Sequence, residues 1–256
     1  MQRTDPVAIL AFSLRKPSRI PELCRKISRR FCDTPDSLTP AEHRAWLAAH
    51  VTDLTAYALG LNPSLWEEAC LFGGRLAAEA ASAAAHLPLL GGGGAYPFLY
   101  FLTRHRRPGV IVETGVGAGY SSAAFLAAVE ANGRGILHSS DFPYFRLHDP
   151  ERHIGLLVRE TLRRDWRLHL EGDEANLRLI LATSGPVELF HYDSDKSHRG
   201  RSRATALLRP RMAPGSLMLF DDIQNNTHFH DLVQGLPEAS FKIFEFENKY
   251  VGMLLC

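Results

Sequence analysis

The chain has 256 residues, 45% of them hydrophobic, enough to bury one large core or one core with a small appendage. Its 29 basic and 28 acidic side chains leave a formal charge of +1, and the arginines are scattered along the sequence, which argues against nucleic acid or another polyanion as partner. The cysteines, Cys24, Cys32, Cys70 and Cys256, have neither zinc nor redox spacing, and the apolar stretch from Val7 to Leu14 is too short to span a bilayer, so reduced thiols, a cytoplasmic location and no membrane partner are expected.

Residues 1 to about 95 read as an alanine-rich helical segment. Thr39 as N-cap, Pro40 at the first helical position and Glu42 completing a capping box open a helix whose apolar Trp46, Leu47, Val51, Leu54, Tyr57 and Leu61 recur at helical spacing. Asn62 opens a second helix, with Glu67 and Glu68 near its positive end. The glycine run Gly91 to Gly94 then breaks the pattern, as a flexible connector or as a hinge beside a ligand. This first segment is expected to cover a pocket or to form the surface of a homodimer.

From Tyr96 to Cys256 short apolar runs alternate with helical stretches. The runs "GVIVE", "GILHSSD", "VELFHYD" and "SLMLFDD" all end in acidic residues, and "SFKIFEFENKYVGMLLC" closes the chain as a hairpin. Continuous apolar strands separated by helices imply an α/β fold: a Rossmann-like, doubly wound, mostly parallel sheet with a C-terminal antiparallel hairpin. In such a sheet ligands bind at the carboxyl ends of the strands, where Glu113, Asp141, Asp193, Asp221 and Asp222 would meet.

The stretch "ETGVGAGYSS" sets Glu113 before Gly115, Gly117 and Gly119, with Tyr120 in the place of the third glycine of a dinucleotide fingerprint. A carboxylate there would repel a pyrophosphate and suit a cationic ligand. S-adenosylmethionine carries an ammonium and a sulfonium and no phosphate. Gly115 and Gly117 would let the backbone approach it closely, Ser121 and Asp193 would join its contacts, Asp141 would bind its ribose hydroxyls, and Asp173 in "LEGDEANL" would reach its adenine amino group. On these motifs the chain from Tyr96 onward resembles the class I S-adenosylmethionine-dependent methyltransferases, whereas the first ninety-odd residues resemble no family.

"FHYDSDKSH" and "LFDDIQNN" carry the chemistry. Methyl transfer to a hydroxyl needs a nucleophilic oxygen near neutral pH, and a hard divalent cation on carboxylates lowers the pKa of a coordinated hydroxyl. Asp193, Asp221 and Asp222 would hold Mg²⁺ or another divalent cation. This arrangement resembles metal-dependent O-methyltransferases of the catechol and macrolide-sugar types. The resemblance implies that Lys196, three residues after Asp193, is the catalytic base, and the Asp221–Asp222 pair points to a sugar or another aliphatic hydroxyl of a small molecule or secondary metabolite. His191, His198 and His138 are further base candidates, and Phe142, Tyr144 and Phe145 form either stacking walls or packing. Two other functions compete: a methyltransferase-like binding protein without catalysis, and an Fe(II) hydroxylase built on His191, Asp193 and His228 or His230.

Overall fold

The computed structural model describes residues 16–29, 32–84, 93–144 and 150–256. The elements in chain order are α1 (Ile20–Arg29), α2 (Pro40–His50), β1 (Val51–Thr52), α3 (Leu54–Leu61), α4 (Pro63–Ala84), α5 (Tyr96–Arg106), β2 (Val110–Thr114), α6 (Tyr120–Asn132) and β3 (Ile136–Ser140). They continue with β4 (Trp166–His169), α7 (Asp173–Thr183), β5 (Val187–Tyr192), α8 (His198–Leu208), β6 (Met212–Phe220), α9 (His228–Val233), β7 (Phe241–Phe246) and β8 (Lys249–Leu255).

The strands form one sheet in the order β1-β7-β8-β6-β5-β2-β3-β4. Only β8 runs against its neighbours, antiparallel to both β6 and β7. The chain winds outward from β2 in both directions, to β3 and β4 on one side and through β5 to β6 on the other, so a crevice opens at the carboxyl ends where β2 and β5 lie side by side.

Alternation along the strands divides the core. Ile111, Leu189, Leu217 and Leu219 belong to a buried cluster with the side chains of α3 to α6, whereas Val112, Phe190, Met218 and Phe220 belong to a second with α7, α8 and α9. Both faces are covered, which is why these strands read as unbroken apolar runs. Of the helices that precede the glycine run, α3 and α4 share the first cluster through Leu54, Ala58, Trp66, Ala69 and Phe72, whereas Leu47 of α2 belongs to the second.

The capping box is present: Thr39 N donates to Glu42 Oε2 at 2.8 Å, and Glu42 N donates to the Thr39 hydroxyl at 3.3 Å. The single helix expected from Thr39 through Leu61 is divided. Val51 and Thr52 leave it to pair in parallel with Ile243 and Phe244 of β7, and Asp53 restarts the helix by accepting from Ala56 N at 2.8 Å. Two β-branched residues before an N-capping aspartate favour the break, and the pairing covers a sheet edge. The hairpin turns through Glu247 and Asn248, both at positive φ (49° and 63°), the conformation of a two-residue primed turn. β4, with Trp-Arg-Leu-His, lies at the other edge and carries no apolar run. All four cysteines are exposed and unpaired, and no described helix is long and apolar enough to cross a membrane. Val7 to Leu14, Gly91, Gly92 and Phe145 lie outside the described residues.

Candidate active site

A cavity of about 340 Å³ opens at the carboxyl ends of the strands. Gly115, Val116, Gly117, Ser121, Asp141, Asp193, Lys196 and Asp222 contribute to its walls, which brings most of the residues singled out in the sequence to one place.

The turn after β2 has Gly115, Gly117 and Gly119 at φ of 83°, 52° and 97°, a region that side chains disfavour. A Cβ on Gly115 would overlap the backbone carbonyl of Asp193, so the close approach that demands glycine there is to the neighbouring strand's exit. Gly119 caps α6 and packs against Gly155, away from the cavity walls.

Glu113 takes a different place from the one expected. It shares the face of β2 that α6 covers, is 0% exposed, and lies beneath the turn. Ser121 Oγ donates to its Oε2 at 2.9 Å, Ser139 Oγ donates to Oε1 at 2.6 Å, and Ser122 Oγ donates to Oε1 as well. Burial pushes its carboxyl up to about 7 in spite of these three hydroxyl bonds. Its carboxylate therefore does not border the cavity; it ties the start of α6 to β2 and β3. Asp141 does border it, with Oδ2 accepting from Val116 N (3.1 Å) and Gly117 N (2.9 Å). Asp173, the first residue of α7, stands behind the wall, its carboxylate accepting from Ser140 Oγ (2.8 Å) and from Ser194 Oγ, and Ser194 is the cavity-lining member of that pair. Phe142 and Tyr144 line the cavity.

The exits of β5 and β6 carry the second half of the site. Ligand atoms of Asp193, Asp221 and Asp222 all lie within 4.8 Å of one another. Lys196 Nζ donates to Asp193 Oδ1 and lies 2.8 Å from Asp222 Oδ2. Lys249 Nζ is 3.4 Å from Asp222 Oδ1 and 4.0 Å from Asp221 Oδ2. Asp222 adopts φ of 52°, and the buried guanidinium of Arg201 holds this turn by donating to the carbonyls of Asp221 (2.9 Å) and Asp222 (3.0 Å). Gly94 covers Asp221: a Cβ there would lie 3.0 Å from its Oδ2. Gly93 and Gly94, the described half of the glycine run, are cavity walls.

Asp221 is 1% exposed and neither of its carboxylate oxygens accepts a hydrogen bond. Burial and the neighbouring Asp193 push its carboxyl up to about 6. Burial opposes the charged form of Lys196 too, but Asp193 and Asp222 outweigh it and hold the ammonium above its usual range, the reverse of the depressed value expected of a base. Buried carboxylate oxygens without donors, next to two more carboxylates, are the ligand chemistry of a hard divalent cation, and the residues fit one.

The histidines stand apart from this cluster. His191 is 3% exposed, meets Phe125 edge-on at 5.7 Å, and is kept neutral by burial, which lowers it to about 4. His198 Nε2 is 2.9 Å from Asp231 Oδ2, and His138 stacks on His169 at 6.0 Å. None of the three lines the cavity. Among the described residues Asp193, Asp221 and Asp222 are the one metal-competent grouping, so the iron triad of His191, Asp193 and His228 or His230 is not assembled.

Lys249 escaped the sequence reading. It is remote from both aspartate motifs, and only the antiparallel entry of β8 beside β6 brings it to the carboxyl edge. Tyr120 and Ser194 were likewise not anticipated as cavity walls, whereas the glycine run was read as a connector or as a hinge beside a ligand, and its Gly93 and Gly94 are walls.

Residues 112–223 match a family model described as a methyltransferase domain. No curated protein sequence is recognisably similar to the chain. Among solved structures, an O-methyltransferase of tomaymycin synthesis from Streptomyces achromogenes, TomG, in complex with S-adenosylmethionine superposes with a TM-score of 0.54 at 17% identity, covering 70% of this chain and 89% of that one. An O-methyltransferase from Bacillus cereus in complex with S-adenosylhomocysteine gives 0.52 at 15% identity over 82% and 100% of the two chains. A methyltransferase from Geobacter sulfurreducens gives 0.53 at 15% identity over 71% and 90%.

Proposed function

We propose that this chain, which carries a methyltransferase domain in the class I S-adenosylmethionine-dependent fold, moves the donor's methyl group to a hydroxyl of a small molecule with the help of a divalent cation such as Mg²⁺. A sugar, another glycoside or a secondary metabolite is the acceptor class, and the role of TomG in tomaymycin synthesis agrees with it. The observation that carries the reading is the orphaned carboxylate of Asp221, within 4.8 Å of Asp193 and Asp222, which wall a cavity together with the glycine turn.

The donor's methionine end rests on the turn at Gly115 and Gly117, beside Ser121 and Asp193. Asp141 takes the ribose hydroxyls, and the Ser194–Asp173 pair flanks the adenine. Glu113 holds the turn from below through its three serines. Asp193, Asp221 and Asp222 would hold the cation, which would supply Lewis-acid polarisation of the acceptor oxygen. In the transfer a lone pair of that oxygen attacks the methyl carbon, the carbon–sulfur bond breaks, and its electron pair returns to sulfur as a neutral thioether. Lys196 is placed to receive the hydroxyl proton once its carboxylate partners are engaged elsewhere and no longer hold it charged. Gly93 and Gly94 wall the cavity, and Gly94 packs over Asp221 so closely that a Cβ there would lie 3.0 Å from its Oδ2.

Calorimetric titration with S-adenosylmethionine, with and without chelator, followed by a methyl-transfer screen over sugars, glycosides and catechols, tests the reading. One donor site in both conditions and methylated product only with divalent cation are expected. Absence of donor binding defeats the methyltransferase reading, and full turnover in chelator defeats the metal.

A further inference from the structure

Arg25, Arg178, Arg199 and Arg203, drawn from three separate helices, line one groove of about 420 Å³ between α1, α7 and α8. It shares no lining residue with the carboxyl-end cavity. Glu174 is the one acidic residue of its walls. Its carboxylate is 3.1 Å from Arg25 Nη1, 3.4 Å from Arg178 Nη2 and 3.8 Å from Arg203 Nη1, and Arg25 Nε also donates to Glu22 at 3.0 Å. The guanidinium of Arg199 has no ion pair or hydrogen bond among the described residues. Glu174 thus meets three of the groove's four guanidiniums, and its single charge is outnumbered by theirs.

Arg199 and Arg203 stand four residues apart on α8, where like charges repel, and α8 has no acidic residue to offset them. Arg199 sits in the first turn, at the positive end of the helix dipole, where its backbone N–H and that of His198 donate to the carboxylate of Asp33 at 2.9 Å. Ala206 and Leu207 add an apolar strip beside the guanidiniums.

We propose that this groove binds a small oligophosphate anion of the pyrophosphate class. Arginine forks match phosphate oxygens in bidentate pairs, several phosphate oxygens satisfy guanidiniums arriving from three helices, and the volume suits a small molecule. The apolar strip takes an uncharged portion of the ligand.

Titration calorimetry of the full chain with inorganic pyrophosphate in metal-free, low-salt buffer tests this. One saturable site is expected, weakened at least about tenfold by Arg178→Glu with Arg203→Glu and, separately, by Arg199→Glu. Arg178 and Arg203 are 64% and 44% exposed, so these variants keep the fold, which unchanged S-adenosylmethionine binding verifies. Lys249→Met, in the other cavity, leaves pyrophosphate binding as it was. Absence of saturable binding, or binding indifferent to the arginine variants, overturns the proposal. Sedimentation with phosphatidylglycerol vesicles without pyrophosphate binding also overturns it, assigning the groove to a membrane surface.

Discussion

Glu113 and Asp221 end or follow strands of one sheet, β2 and β6, with β5 between them, and water reaches neither. Three hydroxyls satisfy the first; no donor satisfies the second. A buried carboxylate with a full set of donors is a structural tie, and its charge is spent inside the chain. One without donors is costly unless a cation arrives from outside. On the proposed reading the contrast divides the labour of the cavity: the turn assigned to the methyl donor is tied within the chain, while the cluster assigned to the acceptor would be completed by a cation.

The largest effect expected from breaking this contrast is on turnover. Asp221→Asn should lower methyl transfer by about 100-fold or more, because it removes one of the carboxylates that hold the cation. The same variant should melt higher than the parent in chelator, where a buried charge has been removed, and should lose the gain in melting temperature that Mg²⁺ gives the parent. A variant that keeps the Mg²⁺-induced gain breaks the assignment of Asp221 as the vacant ligand.

Glu113→Ala should act on stability first. It leaves three hydroxyls without their acceptor and opens a void beneath the turn, for a loss of about 3 kcal/mol or more in denaturant melts. S-adenosylmethionine binding should fall with it. A variant as stable as the parent means that the serines find other partners and that the tie is dispensable.

The pH profile sharpens the comparison. Both carboxyls are raised in the folded chain, Glu113 to about 7 and Asp221 to about 6, so each contributes stability that is complete below its unfolded value near 4.5 or 3.8 and is lost as pH rises through its folded value. In chelator, stability should decline between about pH 4 and pH 7, the Glu113 part being on the order of 3 kcal/mol. Glu113→Gln should remove the upper part of the decline. Saturating Mg²⁺ should remove the Asp221 part alone, and a decline unaffected by either change disproves the pairing of these groups with that window.

The smallest effect is at Lys249, 38% exposed and 3.4 Å from Asp222. Lys249→Met removes a cation that competes for the cluster, so Mg²⁺ should bind a few-fold more tightly by calorimetry, with stability changed by less than about 1 kcal/mol. Weaker Mg²⁺ binding would mean that Lys249 helps to build the site.

Much of the fold was legible in the sequence because its signals are local. The capping box at Thr39 and Glu42, the apolar runs of β2, β3, β5 and β6, and the closing hairpin each depend on residues within a few positions of one another. The break at Val51–Thr52 was masked by apolar spacing that continues through it, since a two-residue strand is too short to impose its own period and exists only because β7 offers an open edge. The carboxylate cluster was legible for a related reason: parallel strands bring their carboxyl ends to one edge, so acids that end apolar runs are gathered whatever their sequence distance.

What the sequence alone determined, then, is which residues reach that edge: Asp141, Asp193, Asp221, Asp222 and the glycine turn. The tertiary structure decided what each faces there. Alternation on β2 and the helix packed over it turned Glu113 beneath the turn, toward serines of α6 and β3. Burial and packing took His191 and His198 out of the cavity, and the reversed strand β8 brought Lys249 in. Helix packing likewise gathered scattered arginines into a groove that a near-neutral net charge conceals. The physical reason is common to all of these: strand and helix periods are written by near neighbours in the chain, whereas the environment of a charge is set by whichever elements pack against it, and those are chosen by the order of strands in the sheet.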